Sequence, residues 1–262
     1  GGNNVRFIGP ACINIVVAAN AGGAFSPFGD ITTLMVWQKG LIPFSGFFVL
    51  FIPAVVNFVI PAAIMSLTLP NDHPEATSQR IELKRGAWRI VGLFLLTVAT
   101  AVSFHTFFRL PPAVGMMFGL GYLKMFSYYL VQSLPQSLTK KRRVYEQKGD
   151  VEAMRRLGEV VPFNVFNNVA RAEWDTLLFF YGVVLCVGGL GFMGYLTIAS
   201  EILYVDFGPT FANITVGILS AIVDNIPIMF AVLTMLPEMS EGQWLLVTLT
   251  AGVGGSLLSI GS

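Results

Sequence analysis

A few acidic and amide residues lie inside stretches that are otherwise apolar enough to enter a membrane. Asp30 lies in AANAGGAFSPFGDITTLMVW (18–37), and Asp224 and Asn225 are adjacent in SAIVDNIP (220–227). An ionisable residue at membrane depth is costly and is a functional candidate by default. Hard cations prefer oxygen ligands such as carboxylates. The sequence therefore predicts a cation or proton site that includes Asp30 and Asp224.

Each of these residues also has a simpler structural interpretation. Asp30 precedes ITTLMVW and could cap that half-helix, and both roles could hold together. Serine would cap the helix equally well without the cost of burying a carboxylate, so an aspartate at this position favours the ion or proton role. Asp224 and Asn225, followed by Pro227, are also typical of an exposed turn. A turn at membrane depth is not explained in this way, which favours an ion-binding role for the pair. Ser220, one helical turn earlier, could then supply a further ligand oxygen.

Two further charged residues keep alternatives open. Asp175 begins an apolar segment directly after Trp174. It could be a partner of the helix dipole or a proton entry point. Lys124 lies in the middle of an apolar segment and could pair with an acid or extend towards the interface.

The elements that carry these residues are those of a polytopic membrane protein. The chain has 262 residues, of which 54% are hydrophobic and 12% charged, against about 25% charged in soluble domains. A membrane-crossing helix needs roughly 20 apolar residues. Full spans are predicted at 43–69, 88–108, 111–132 and 174–198, and interrupted segments at 7–38, 210–236 and 243–262.

Basic residues set the predicted orientation. The tight turn RLPP joins two spans, so the loops 70–87 and 133–173 share a side. Both are rich in Lys and Arg, which predicts that this side is cytoplasmic. The segment PEMSEGQ (237–243) lacks Lys and Arg, which favours a re-entrant hairpin for 210–236, although a full crossing stays open. The basic loop 133–173 is typical of an amphipathic helix near anionic lipid rather than of a nucleic-acid surface.

The interruption in the first segment follows from its residues. Gly22, Gly23 and Gly29 permit positive φ and close approach, and Pro27 breaks a helix. Irregular backbone survives at membrane depth only when it is buried in protein or lines a watery cavity. Two half-helices meeting at an extended loop are therefore expected, as in many secondary transporters.

A second block of similar sequence predicts an inverted repeat. GVGGSLLSIGS (252–262) aligns with NAGGAFSPFGD (20–30), and the two segments run in opposite directions across the membrane. This alignment places Ser262 on Asp30 and matches three glycines, Gly254, Gly255 and Gly261. The predicted organisation is a first repeat over 1–132, a basic linker over 133–173 and a second repeat over 174–262. The partner of the 220–227 hairpin is expected before residue 1, so we expect the chain to be a fragment.

Four stretches resemble the NhaD-type sodium/proton antiporters of the ion transporter superfamily. They are AANAGGAFSPFGDITTLMVWQKG, EWDTLLFFYGVVLCVGGLG, SAIVDNIPIMF and AGVGGSLLSIGS. The resemblance implies an all-α inverted-repeat fold, a bacterial inner-membrane location and a homodimer. It implies exchange of cytoplasmic Na⁺ or Li⁺ for external H⁺, with no cofactor. The site residues it implies are Asn20, Asp30, Thr32, Asp175, Ser220, Asp224, Asn225, Ser259 and Ser262.

The chain departs from the family pattern in two places. A histidine expected after the first broken helix is absent, since Lys39, Gly40 and Leu41 occupy that stretch. The first Asp-Asn hairpin is also not in this chain.

Two rival functions differ from ion exchange. A dicarboxylate or arsenite carrier of the same superfamily would favour hydroxyl and amide donors over carboxylates, so Asp30 and Asp224 argue against it. An intramembrane aspartyl protease needs a proton-sharing pair of aspartates. Neither of its usual motifs, Tyr-Asp and Gly-x-Gly-Asp, occurs in the sequence. The stretch most similar to Tyr-Asp is YVD (204–206), in which Val205 separates the tyrosine from the aspartate.

Overall fold

The computed structural model describes residues 5–67, 86–148 and 174–257. Within these ranges the chain forms helices and contains no strand, which confirms the predicted all-α class. The chain divides into two compact units, a larger one of residues 1–80 and 175–262 and a smaller one of residues 81–174.

Ten α-helices follow one another in the described residues. They are α1 (Val5–Gly23), α2 (Ile31–Gln38), α3 (Phe51–Ser66), α4 (Ala87–Phe108), α5 (Pro112–Lys148), α6 (Trp174–Phe192), α7 (Tyr195–Ser200), α8 (Pro209–Ser220), α9 (Asn225–Met235) and α10 (Glu241–Gly254). Two 3₁₀ segments (Phe44–Leu50 and Gly255–Leu257) and a π-helical segment (Glu201–Asp206) complete the path.

Three helical stretches of the described residues are long and apolar enough to cross a membrane, namely Phe44–Ser66, Ala87–Phe108 and Trp174–Phe192. They agree with the predicted spans 43–69 and 88–108 and with most of 174–198. The predicted span 111–132 is not among them. It forms the first part of α5, which continues into the basic segment as far as Lys148. The span 174–198 is also divided, because Gly194 takes a φ of 86° between α6 and α7.

The smaller unit is a helical hairpin of α4 and α5. Arg109 ends α4 in the left-handed conformation, with its N–H bonded to the Phe104 carbonyl, and α5 begins three residues later at Pro112. The helices approach closely because Gly115 lies against the Ala101 backbone and Gly119 against Thr97. The tight turn expected at RLPP is therefore present.

The larger unit is built around α10. This helix packs on α8 and contacts α1, α2 and α9, while α1 also packs on α3. A Cβ on Gly254 would collide with the Gly217 carbonyl oxygen, and a Cβ on Gly217 would lie 2.7 Å from the Thr250 Cβ. The two glycines therefore allow α8 and α10 to touch through their backbones.

A buried polar network also joins α8 to α10. Asn213 is fully buried and accepts a hydrogen bond of 3.2 Å from the Tyr204 hydroxyl. Its amide donates to the Gln243 carbonyl at 3.0 Å and to the Gln243 side-chain oxygen at 2.9 Å. The Thr250 hydroxyl donates to the Asn213 carbonyl at 2.8 Å. Each donor and acceptor of this side chain is therefore used, as burial requires.

Candidate functional site

The first broken segment is interrupted at residues 24–30, between α1 and α2. Turn hydrogen bonds run through the loop, from Ser26 N to the Gly23 carbonyl and from Gly29 N to the Ser26 carbonyl. A Cβ on Gly23 would lie 2.8 Å from the Gly29 carbonyl oxygen. The two ends of the loop therefore touch through their backbones.

Glycine permits both positive φ and close approach, and none of the described break glycines has positive φ. The described glycines with positive φ are Gly40, Gly86, Gly194 and Gly208, whereas the break glycines Gly22, Gly23, Gly29, Gly254 and Gly255 are not among them. Close approach explains Gly23 and Gly29 instead. Gly22 is exposed and would have open space around a Cβ.

Alanine substitutions at Gly29 and Gly22 should affect stability differently. In Gly29→Ala the methyl group would meet the Gly23 carbonyl, which cannot move without opening the loop. We expect a loss of about 1–3 kcal/mol, the usual cost of overpacking, seen as a lower thermal midpoint in detergent. Gly22→Ala is the matched control and should match the wild type. Equal midpoints for the two variants would contradict the close approach.

Aromatic rings and a threonine hold the loop against α2. The Phe28 ring packs on Trp37 at a centroid distance of 5.5 Å, and Trp37 packs on Phe44 at 5.9 Å. The Thr33 hydroxyl is bonded to two carbonyls, those of Ser26 at 2.8 Å and Asp30 at 2.7 Å. The position of Asp30 is therefore fixed by the loop that precedes it and the helix that follows it.

Asp30 is the N-cap of α2. Its Oδ1 accepts a hydrogen bond of 3.3 Å from Thr32 N, so the capping interpretation holds. Within the described residues, that bond engages only one of the two carboxylate oxygens. Capping therefore leaves Oδ2 available for a second partner.

The second oxygen faces α10. A Cβ on Gly252 would lie 2.5 Å from Asp30 Oδ2 and 3.2 Å from the Thr32 hydroxyl oxygen. Thr32 is fully buried, and its hydroxyl has no hydrogen-bond partner in the part of the chain that the structure describes. A carboxylate oxygen and a buried hydroxyl thus both lie against the backbone of Gly252, which belongs to the second predicted repeat.

The second acidic pair lies at the connection between α8 and α9. Asp224 is the N-cap of α9, and its Oδ1 accepts a hydrogen bond of 3.2 Å from Ile226 N. Asp224 and Asn225 are both half-buried. Helix α9 contacts both α2 and α10. Both predicted carboxylate ligands therefore begin half-helices, and those half-helices pack against each other.

Ser220 connects this hairpin to the same part of α10. Its hydroxyl is fully buried and donates a hydrogen bond of 2.7 Å to the Ala251 carbonyl. Ala251 is the residue next to Gly252, which faces Asp30. The structure therefore brings Asp30, Thr32 and Ser220 to one short stretch of α10.

Within the described residues, two other predicted site residues, Asp175 and Asn20, make no hydrogen bond to this stretch. Asp175 is exposed in the first turn of α6. Helix α6 approaches α9 near Gly191, whose Cβ would lie 2.9 Å from Thr234, so Asp175 lies about 24 Å further along the helix. Asn20 is half-buried in the last turn of α1. Ser259, Gly261 and Ser262 lie outside the described residues.

Three residues that sequence analysis did not select contribute to this region. Gly252 faces Asp30, Thr33 fixes the loop and Asn213 joins α8 to α10. Asn213 lies within the apolar run FANITVGIL. A polar residue at membrane depth is a functional or structural candidate, so the sequence could have indicated it. Gly252 gave a weaker signal, because its role depends on a contact with a distant segment.

Comparison with known proteins identifies the group to which the chain belongs. A family model, CitMHS, described as citrate transporter, matches residues 2–252. The chain belongs to the CitMHS family. With its apolar helices, this membership establishes an integral membrane protein.

Curated relatives of the CitMHS chain carry antiporter names. The chain is 65% identical over 257 residues to the Na(+)/H(+) antiporter NhaD of Alkalimonas amylolytica, covering 98% of this chain and 53% of that protein. It is 64% identical over 261 residues to the protein of the same name from Vibrio parahaemolyticus, covering 100% of this chain and 63% of that protein. Sodium/proton antiporter 1 of Arabidopsis thaliana is 31% identical over 267 residues, or 95% of this chain and 41% of that protein. No solved structure matches the chain.

Proposed function

We propose that the protein containing this chain is a secondary transporter that exchanges cytoplasmic Na⁺ or Li⁺ for external H⁺ across a bacterial inner membrane. The chain spans little more than half the length of its bacterial relatives, from 53% to 63% in the examples above. The names of these relatives support sodium/proton exchange, and together with the family description they support a transporter rather than an enzyme.

The observation that carries the proposal is the convergence of Asp30 Oδ2 and the unpartnered Thr32 hydroxyl on Gly252. A carboxylate and a hydroxyl are ligands that suit a hard cation. Na⁺ and a proton compete for the same carboxylate, because either one neutralises its negative charge. A site of this composition would therefore exchange one ion for the other.

The remaining predicted ligands extend this proposal. We place Asp224 and Asn225 on the side of the site formed by the second repeat, with Ser220 anchoring their hairpin. Asn20, Ser259 and Ser262 are proposed as further oxygen donors, and Asp175 as a proton entry point. In this proposal 1–132 and 174–262 are inverted repeats joined by the linker 133–173. The loops 70–87 and 133–173 face the cytoplasm, 210–236 is re-entrant, and the protein is a homodimer.

The family description supports an alternative substrate, because the matching model is named for citrate transport. An organic anion would be attracted to the free N–H groups of helix N-termini. In this chain the N-termini of α2 and α9 are each capped by an aspartate. A carboxylate at each terminus opposes anion binding, which favours the cation.

Proton movement in everted vesicles tests the proposal. Vesicles that contain the full-length protein are energised, and a pH-sensitive dye reports the release of protons after pulses of Na⁺, Li⁺ and K⁺. We expect a response to Na⁺ and Li⁺ that vesicles without the protein lack. Uptake of labelled citrate or succinate, with no response to Na⁺, would instead establish the anion carrier.

A further inference from the structure

We propose that Thr250 is a positioning residue for the ion site, because its hydroxyl fixes α10 against α8 while the opposite face of α10 meets Asp30. This inference rests on the proposed function and assigns a role to a residue that sequence analysis did not select. The described hydrogen bonds of Thr250 go to backbone carbonyls and not to the carboxylates of Asp30 or Asp224. Its influence on the ion would therefore act through the position of α10.

Thr250 and Gly252 lie on opposite faces of α10. A helix turns by about 100° per residue, so the side-chain directions at these two positions differ by about 200°. Thr250 bonds to α8, whereas a Cβ on Gly252 would lie 2.5 Å from Asp30 Oδ2. Asp30 Oδ2 thus lies directly against the Gly252 backbone, and any displacement of α10 changes this contact.

The Thr250 hydroxyl bonds to the neighbouring helix in preference to its own. It lies 2.8 Å from the Asn213 carbonyl of α8 and 3.3 Å from the Val247 carbonyl of α10. A hydroxyl has one proton to donate, and the shorter distance favours the bond to α8. Thr250 therefore anchors α10 to α8 at this level.

Two glycines leave α10 little freedom to move around this anchor. A Cβ on Gly217 would lie 2.7 Å from the Thr250 Cβ, and a Cβ on Gly254 would meet the Gly217 carbonyl oxygen. Thr250 and Gly254 are one turn apart, so they share the face of α10 that touches α8. The hydrogen bond and the backbone contact together define both the rotation and the height of α10.

Thr250 is closer to Asp30 along α10 than the other anchor on this helix. In the described residues, two side chains of α10 form hydrogen bonds with α8, namely Gln243 and Thr250. Gln243 is nine residues from Gly252, or about 13 Å along the helix, whereas Thr250 is two residues away. Because closely packed elements transmit small shifts, the loss of the Thr250 anchor should change the geometry at Asp30 and weaken Na⁺ binding.

The experiment measures proton release against Na⁺ concentration in everted vesicles that contain equal amounts of full-length wild type, Thr250→Val or Thr250→Ser. We expect Thr250→Val to raise the half-maximal Na⁺ concentration about fivefold, the order expected for one interhelical hydrogen bond. The response at saturating Na⁺ should be kept, because the ligands remain. Thr250→Ser retains the hydroxyl and should match the wild type.

Thr215→Val is the matched control. It makes the same substitution on α8, but the hydroxyl that it removes bonds to the Phe211 carbonyl of the same helix. Its half-maximal Na⁺ concentration should be that of the wild type. If Thr250 served only to stabilise the fold, Thr250→Val would lower the thermal midpoint and leave the half-maximal Na⁺ concentration unchanged.

A second variant covers the case in which Thr250→Val does not reach the membrane. Valine places a methyl group against the Asn213 carbonyl, whereas Thr250→Ala removes the hydroxyl without this contact, and it should also raise the half-maximal Na⁺ concentration. An unchanged value in whichever of these two variants is active would overturn the role of Thr250 and leave the proposed function standing. Equal impairment of Thr250→Ser and Thr250→Val would overturn it as well. A wild type that responds to neither Na⁺ nor Li⁺ would overturn the proposed function and this inference with it.

Discussion

Replacing Asp30 with asparagine is expected to abolish Na⁺-dependent proton movement in everted vesicles while the full-length protein still inserts in the membrane. Asparagine retains the oxygen that accepts the Thr32 N–H, and Asn and Asp are equally good N-caps. The start of α2 should therefore be preserved. The substitution removes the negative charge and the group that can bind a proton, both of which exchange requires.

The control for this variant is Asp206→Asn. Asp206 is exposed in the π-helical segment, and neutralising it makes the same chemical change at an exposed carboxylate. We expect wild-type Na⁺ responses for Asp206→Asn and a response no larger than that of empty vesicles for Asp30→Asn, at equal amounts of inserted protein. Normal exchange by Asp30→Asn would refute the assignment of Asp30 as the ion and proton ligand.

The sequence predicted most of the local structure around Asp30. Glycine, proline and aspartate within an apolar run indicate the interruption at 24–30, and the type and position of Asp30 suit both a helix cap and an ion ligand. The pair Asp224–Asn225 indicated the connection between α8 and α9. These features depend on the conformational preferences of a few adjacent residues, so the local sequence contains the necessary information.

The contacts between distant segments could not be predicted in this way. Gly252 lies against Asp30, and Ser220 bonds to the Ala251 carbonyl, because α10 packs on both α2 and α8. The sequence of a helix does not specify which neighbour lies against each of its faces. The same limitation applies to Asp175. Its type and position suggested a site residue, yet it is exposed in the first turn of α6, about 24 Å along the helix from Gly191, which approaches α9.

The length of α5 illustrates a second limitation. The apolar run ends near residue 132, but a helix does not have to end where its hydropathy changes. Lys and Arg are good helix formers, and the helix continues to Lys148. Hydropathy therefore predicted the apolar part of the segment and not the boundary of the element.

Asn213→Leu is expected to lower the stability of the protein more than Gly29→Ala does. Leucine fills a similar volume but leaves the Tyr204 hydroxyl and the Gln243 carbonyl without the partners that Asn213 provides. A buried polar group that loses its partner costs about 1–3 kcal/mol. We therefore expect a total loss of about 2–5 kcal/mol, measured as a lower thermal midpoint of the purified full-length protein in detergent.

The control on the same helix is Thr215→Val, which removes one local hydrogen bond to the Phe211 carbonyl and should lower the midpoint much less. Tyr204 provides a second measurement, because burial raises its pKa to about 12. The folded state keeps this proton between pH 10 and 12, where the unfolded state loses it, so wild-type stability should fall across that interval. Because burial is the cause of this shift and leucine keeps the tyrosine buried, Asn213→Leu should retain the fall and lower the midpoint at every pH. A midpoint for Asn213→Leu equal to that of Thr215→Val would show that the network does not hold α8 to α10.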